Sequence, residues 1–395
     1  MRVPTLNSSQ NVMSGIATRQ AEQARLQQQL ATGQRINTPG DDPAGAAQAE
    51  LARSRLARLS QDQRSQQLST TVLSAADAAL GQGVGTLQSV RESLVAAANG
   101  SYSLSDRQAL ALQLRSARDS MVALANTPDS AGGYVFAGQG SDAPPLSSGT
   151  TPAYGAVPGE QRMGDGGRYA ATVDGNAAFM MLPQGNGVFV TASNAANSGA
   201  AWINPGSVGN AAQLTGHSYN ITVAGTPGSL TYSVADATAG TTLVSGVPYA
   251  DGSTIALDGQ NVKITGTPAA GDSFQVVPAG QQSIFKTLDD AIATLEQPAT
   301  NAVYSEKLER VQTTLDRALD SMINTRSRVG EEMKSVETAA SAGADQTLQV
   351  TQRKSNLQDL DFAGSISALQ NNQTALEAAL KTYANVARTS LFQML

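Results

Sequence analysis

The 395-residue sequence predicts an α+β multidomain chain: a long α-helical bundle or coiled coil built from both termini, with an antiparallel β domain inserted between them. Three observations predict it. Residues 1–128 and 284–395 carry apolar side chains at alternating three- and four-residue spacing, the period of one helix face. Residues 131–282 hold 26 of the 37 glycines and 10 of the 15 prolines, the residues that punctuate chains into turns. Inside that stretch the apolar residues alternate at every second position, as on half-buried strands.

The first helix carries Val12, Ile16, Leu26 and Leu30 on one seam, with Arg19 and Gln23 as its polar members. Thr38-Pro39-Gly40-Asp41-Asp42-Pro43 interrupts it, and Asp42 is placed to cap the next helix with Pro43 at its first position. From about 44 to 98 a single helix would run roughly 80 Å at 1.5 Å per residue. Its seam is read at 59, 63, 66, 70, 73, 77, 80, 84, 87, 91 and 94, with Val72, Ala76, Ala79 and Val90 forming a second stripe. Two adjoining stripes face more than one partner, which favours a bundle over a two-stranded zipper. Asn99-Gly100 ends this helix. Ser105 with Gln108 reads as a capping box for the next, which carries Leu110, Leu114, Ala117, Met121 and Leu124.

In the middle segment, Tyr219, Ile221 and Val223 alternate, then Tyr232 and Val234, and Phe274 and Val276 close the set. Ile255 and Leu257 lead into Asp258-Gly259, with Val262 and Ile264 beyond, a strong hairpin signal. The expectation is one small antiparallel β domain or two. Helices resume with Phe285, Leu288, Ile292 and Leu295, break at Pro298, and continue through Tyr304, Leu308, Val311, Leu315, Ala318, Met322 and Val329. The last helix carries Phe362, Ile366, Leu369, Gln373, Leu376, Leu380, Tyr383 and Ala387 in strict 4-3 steps.

Composition excludes several classes of function. With 26 Lys+Arg against 32 Asp+Glu the formal charge is −6, and no basic cluster could neutralise a run of phosphates, so no nucleic acid is expected. The absence of cysteine removes disulfides, thiolate metal sites and thiol nucleophiles. No stretch approaches the ~20 apolar residues of a membrane span, and residues 1–11 lack the apolar run of a cleaved secretory signal. His217 is the sole histidine, so a catalytic triad or two-histidine metal site lacks its usual residue. The pairs Asp41-Asp42, Asp289-Asp290 and Glu331-Glu332 lie in helical context without oxygen-rich loop spacing, and read as helix ends and solvated faces. Gly81, Gly83 and Gly85 mimic part of a phosphate loop, but no strand precedes them, and close helix approach explains small residues there. No catalytic residue, cofactor or metal is expected.

The two extreme ends carry the functional signal. From Phe362 to Leu395 the charged residues are Glu377, Lys381 and Arg388; from Met1 to Thr32 they are Arg2, Arg19, Glu22 and Arg25. One stripe is apolar and the remainder is amide-rich, as in Gln27-Gln28-Gln29 and Gln370-Asn371-Asn372-Gln373. Such helices suit side-by-side assembly of copies better than isolated exposure to water. The expected assembly interface is Val12, Ile16, Leu26, Leu30, Phe362, Ile366, Leu369, Leu376, Leu380, Tyr383 and Leu391.

Gly33-Gln34-Arg35-Ile36-Asn37-Thr38-Pro39-Gly40-Asp41-Asp42-Pro43-Ala44-Gly45 resembles the junction between the first two helices of the bacterial flagellin superfamily, and the closing Ser390-Leu391-Phe392 with a final Leu395 is similar to its last helix. Met1-Arg2-Val3-Pro4-Thr5 and Gly132-Gly133-Tyr134-Val135-Phe136-Ala137-Gly138 favour the hook–filament junction group within that superfamily over the flagellins. The resemblance implies an inner assembly domain from about 1–40 with 355–395, a long-helix layer from 41–137 with 283–354, and an exposed β domain at 138–282. It implies a ring of identical copies at the hook–filament junction, between hook-associated protein 1 and flagellin, with extracellular placement by flagellar type III export and a cytosolic export chaperone. The competing readings are a minor flagellin that forms filament by itself and a glycan-binding β module on a helical stalk, with Tyr154, Trp202 and Tyr219 as its stacking faces.

Overall fold

A computed structural model describes residues 5–99, 101–140, 143–147, 153–163, 167–298 and 302–392. The described helices are α1 Thr5–Thr32, α2 Pro43–Ala97, α3 Leu104–Ala125, α4 Asn176–Phe179, α5 Ile284–Leu295, α6 Ala302–Gln358 and α7 Phe362–Phe392. The strands are β1 Arg162–Met163, β2 Tyr169–Ala170, β3 Leu182–Pro183, β4 Phe189–Ser193, β5 Ala200–Ile203, β6 Ser207–Val208 and β7 Tyr219–Thr226. They continue with β8 Ser229–Asp236, β9 Thr241–Pro248, β10 Thr254–Leu257, β11 Gln260–Thr267, β12 Ser273–Pro278 and β13 Gln281–Gln282. The chain forms two compact units: a terminal unit, residues 1–64 with 339–395, and a central unit, residues 65–338.

In the central unit the helical core is a heptad seam. On α2, Gln66, Leu73, Leu80, Leu87 and Leu94 are buried at seven-residue intervals, and so are Ser69, Ala76, Gly83, Val90 and Ala97, three residues further on. These are the a and d rows of a coiled-coil face. The sequence reading runs its seam through the row four residues on, and there the structure corrects it: Gln63, Thr70 and Arg91 are exposed and Val84 is half-buried, whereas the second stripe it sets beside the seam, Val72, Ala76, Ala79 and Val90, is buried throughout. The reason is electrostatic. That row's charged members reach α6 at the rim, Arg91 to Asp316 at 2.7 Å and Asp77 to Arg326 at 2.7 Å, while small d residues lie at the close approach. On α6, Tyr304, Leu308, Val311, Leu315, Ala318, Met322 and Val329 are all buried, as their spacing predicts.

Two helix ends show how polar groups close this core. The α3 capping box is Ser103 with Asp106, not Ser105 with Gln108: the Asp106 N–H donates to the Ser103 hydroxyl, and the Ser103 N–H to the Asp106 carboxylate. The helix begins two residues earlier than the sequence suggests because Ser103 takes the extended cap conformation. Buried Arg107 donates to the carbonyls of Gln297 (2.9 Å), Leu295 and Pro298, closing the C-terminus of α5, and lies 4.9 Å from the centre of the Tyr304 ring. A cation at the negative end of a helix is favourable.

The β insert is a sandwich with one core. Its five-stranded sheet runs β4-β12-β7-β8-β9; the second runs β10-β11-β5, with β6 also paired to β11. Phe189, Ile203, Tyr219, Ile221, Val223, Val234, Ile255, Leu257, Val262, Ile264, Phe274 and Val276 meet between them, so the alternating residues of the sequence are the inner faces. Asp258 and Gly259 turn the β10–β11 hairpin with φ of 39° and 84°, the positive angles a two-residue hairpin turn requires. The regular sheet starts at Phe189; the described residues between 126 and 188 are mostly irregular and less strand-like than their composition suggests. This segment is held down by its aromatics: the Phe136 ring meets Phe179 edge-on at 5.3 Å, and Phe179 stacks on Phe285 of α5 at 6.5 Å.

One edge of the five-stranded sheet is fastened to a helix. The Ser193 N–H donates to buried Glu306 of α6 at 3.0 Å, the Ser193 hydroxyl donates to the same carboxylate, and Arg310 donates to Thr191 O at 3.3 Å. The β insert is thereby fastened to the helical core through its β4 edge.

Candidate assembly surface

In the terminal unit, the junction that joins α1 to α2 is a knot of backbone and carboxylate bonds. Gly33, at φ +69°, ends α1, and the Phe362 ring lies 3.4 Å from where a Cβ would stand. Residues 33–35 then run against 358–360: the Leu360 N–H donates to Gly33 O (3.1 Å) and the Arg35 N–H to Gln358 O (2.7 Å). The Arg35 guanidinium donates to Leu357 O at 2.6 Å, taking up a carbonyl at the end of α6. Ile36 is buried beneath the turn.

The two aspartates divide the remaining work. Asp41 accepts from the N–H groups of Thr38 (2.8 Å) and Asn37 (3.0 Å), and these bonds hold its carboxyl below the usual aspartate range. Asp42 accepts from the Gly45 N–H at 2.9 Å and caps α2, with Pro43 at the first position. A Cβ on Gly45 would stand 2.4 Å from the Asp42 carboxylate and 2.6 Å from the Ile36 Cδ1. Gly33, Arg35, Ile36, Asp41, Asp42 and Gly45 of the junction motif therefore each have a local reason.

Beyond the knot, α1 and α7 pack antiparallel. Gly33 meets Leu360 at one point, and the Asn372 amide donates to Arg19 O (2.8 Å) at another, so α7 advances as α1 retreats. Of the expected interface residues, Leu26 is buried, and Val12, Ile16, Leu30, Leu369, Leu376 and Tyr383 are half-buried along this intramolecular seam. Phe362 (52% exposed), Ile366 (46%) and Leu380 (45%) stay open, as does Met13 (55%), which the sequence reading did not single out. The Leu391 side chain lies outside the described residues.

The rows explain the division. Leu369, Leu376 and Tyr383 repeat every seven residues, and the row three positions before each, Ile366, Gln373 and Leu380, is exposed. Asn372 and Ala379 fill the other inward row. Asn372 was missed because an amide in an apolar pattern reads as surface; its sole signal is its position in the repeat.

The groups that could carry chemistry are engaged structurally. His217 Nδ1 lies 2.6 Å from Asp236, whose carboxyl is held low chiefly by the Ala239 N–H. Tyr219 is buried with its hydroxyl bonded to Thr215 and Asp258. Burial raises the Tyr154 phenol, which donates to Phe136 O at 3.0 Å. Among the described residues there is no group of three or more His, Asp or Glu that could hold a metal ion, and no helix long and apolar enough to cross a membrane.

Residues 3–141 match the bacterial flagellin N-terminal helical region, and residues 192–278 match the D2-like domain of flagellar hook-associated protein 1. Along 399 aligned positions the chain is 27% identical to flagellar hook-associated protein 3 of Salmonella typhimurium, covering 100% of this chain and 99% of that protein. Among solved structures it is similar to hook-associated protein 3 of Legionella pneumophila, with TM-score 0.73 and 27% identity over 78% of this chain and 98% of that one. The flagellar junction protein FlgL of the same organism gives TM-score 0.67 and 29% identity over 73% and 99%. The chain is thus flagellin-like at its N-terminal helices and resembles flagellar hook-associated protein 3 from end to end, and these relatives are structural components of the flagellum.

Proposed function

We propose that this chain is a structural adaptor of the bacterial flagellum, acting without catalysis, that assembles as a ring of identical copies at the hook–filament junction and joins hook-associated protein 1 to flagellin. The observation that carries the proposal is the open row Ile366, Gln373 and Leu380 of α7, joined at the surface of the α1–α7 pair by Met13 and Phe362: Met13, Phe362, Ile366 and Leu380 are about half exposed on helices with few charges. Closing that row against neighbouring copies gains apolar burial with little charge to desolvate. In this reading residues 1–40 with 355–395 form the inner assembly domain, 41–137 with 283–354 the helical layer around it, and 138–282 the outward β domain. Export through the flagellar type III channel, with a cytosolic chaperone holding α7 beforehand, keeps the open row from associating early.

The test is reconstitution on isolated hooks tipped with hook-associated protein 1. The purified chain adds a limited layer and stops, and that layer then accepts flagellin. Deleting Phe362–Leu395 leaves a folded helical protein that does not load. Growth of long filaments from the chain's own seeds would instead make it a minor flagellin, and normal loading of the truncated chain would refute the role given to the ends.

A further inference from the structure

The two units carry opposite charge. The terminal unit holds 12 basic and 9 acidic residues; the central unit holds 14 basic and 23 acidic. Three of the terminal unit's twelve basic residues collect at one place. Leu51, Ala52, Arg55 and Arg58 of α2 line a groove of about 250 Å³ with Val350 and Arg353 of α6.

Just over half of the arginines with described side chains are in ion pairs, for example Arg25 with Glu22, Arg35 with Asp42, Arg53 with Glu50 and Arg326 with Asp77. Those of the groove are not. No carboxylate lies within ion-pair distance of Arg55, Arg58 or Arg353 among the described residues, and Arg55 reaches only the Gln346 amide oxygen, at 3.4 Å. Beside them Leu51 is 70% exposed, although Ala52 at the groove floor is buried. Three like charges gathered around an apolar floor repel one another until an acidic surface covers them.

We propose that this groove is the seat for the acidic central unit of a second copy of the chain, with Leu51 as the apolar anchor. The inference rests on the self-assembly reading above and assigns a second surface, beside the open α1–α7 row, through which neighbours meet. The central unit supplies the complementary charge: Glu92, Glu331 and Glu337 are exposed there and have no ion-pair partner among the described residues. A contact between different patches of identical chains is head-to-tail, the kind that closes into a ring when the rotation per copy fits. The opposite charges steer neighbours into register and disfavour groove-to-groove contact.

The experiment places a benzophenone amino acid at position 58 of the full chain and mixes isotopically heavy and light protein at high concentration. The expected product links heavy to light chains, from position 58 to residues 65–338, and its yield falls about tenfold or more between low and high salt. Links confined to one chain, links to residues 1–64 or 339–395, or no links overturn the proposal. A second arm loads Arg55→Glu/Arg58→Glu/Arg353→Glu on hook tips, with helix content checked by circular dichroism. A folded variant that loads at least tenfold less supports the groove. Equal loading of variant and wild type overturns the groove and leaves the adaptor reading standing, whereas failure of the wild type to load counts against the adaptor reading, and the cross-link then judges the groove alone.

Discussion

Gly83 and Gly85 stand two residues apart on α2, and the same substitution is expected to act on them with opposite sign. Replacing a helical glycine with alanine lowers the backbone entropy lost on folding and favours the helix by about 1 kcal/mol. At Gly85 nothing lies within 4 Å of the position a Cβ would take, so Gly85→Ala keeps that gain. At Gly83 the Cβ would stand 2.6 Å from the Met322 sulfur, 3.2 Å from its Cε and 3.6 Å from the Met121 Cε. Both methionines are fully buried, so the thioether has to swing within a filled core, which costs about 2–3 kcal/mol. The net expectation is about 1 kcal/mol of stabilisation for Gly85→Ala and about 1–2 kcal/mol of destabilisation for Gly83→Ala. Hydrogen exchange of α2 and α6 amides within residues 65–338 reads the difference without assuming that the whole chain unfolds at once. Equal shifts for the two variants, or a stabilised Gly83→Ala, would refute the assignment of Gly83 to the closest helix approach.

Ile366→Asp and Leu380→Asp should leave helix content and thermal unfolding nearly unchanged, because both side chains are already half exposed. On hook tips each should load at least tenfold less than wild type, since a carboxylate buried at a seam costs more than about 1.4 kcal/mol, the equivalent of tenfold; normal loading would remove these residues from the interface. Glu306→Ala strips the partner from the Ser193 N–H and from Arg310, at a cost of about 2–3 kcal/mol for the unpaired groups. Amides of β4 should then exchange roughly thirtyfold faster or more, and unchanged exchange would mean that α6 does not hold the sheet edge. The Asp41 carboxyl is held low because the Thr38 and Asn37 N–H groups favour its ionised form. Its contribution is whole above the ordinary aspartate range and disappears as pH falls through the depressed value, so protection of the amides of residues 37 and 38 should drop on acidification in wild type and lose that pH dependence in Asp41→Asn.

Much of this architecture is legible in the sequence because it depends on repeats. The α6 seam from Tyr304 to Val329 and the alternation from Tyr219 to Val276 each carry one inward face, and burial follows the pattern closely, with Tyr232 only partly buried against the core. The Asp258-Gly259 turn is legible because positive φ restricts the residues allowed there. Three features were not legible. The capping box lies at Ser103 because Ser103, Ser105 and Asp106 crowd the same turn, and spacing does not decide among them. The contacts of Glu306 with Ser193 and of Gly33 with Phe362 join residues far apart in the chain, which local pattern does not reveal. The aromatic cluster of Phe136, Phe179 and Phe285 orders a segment whose composition advertises only turns.

The misplaced second row bears on assembly. A pattern in steps of three and four is satisfied equally by rows a and d or by rows a and e, and in α2 and α7 alike the partner within the chain takes a and d. Small or polar residues then face inward: Ala76, Gly83 and Ala97 on α2, Asn372 and Ala379 on α7. In the central unit the remaining row is finished by charge, with Asp77 and Arg91 fastened to Arg326 and Asp316 of α6. On α7 the same row carries Ile366, Gln373 and Leu380, with no charge and no ion pair. One helix has thus used its third row to complete its own bundle, whereas the other leaves an apolar and amide row without internal use. Were α7 merely half of a stable hairpin, a charged residue at 366 or 380 would cost nothing and would add solubility; the aspartate substitutions therefore ask whether that uncharged row serves another copy.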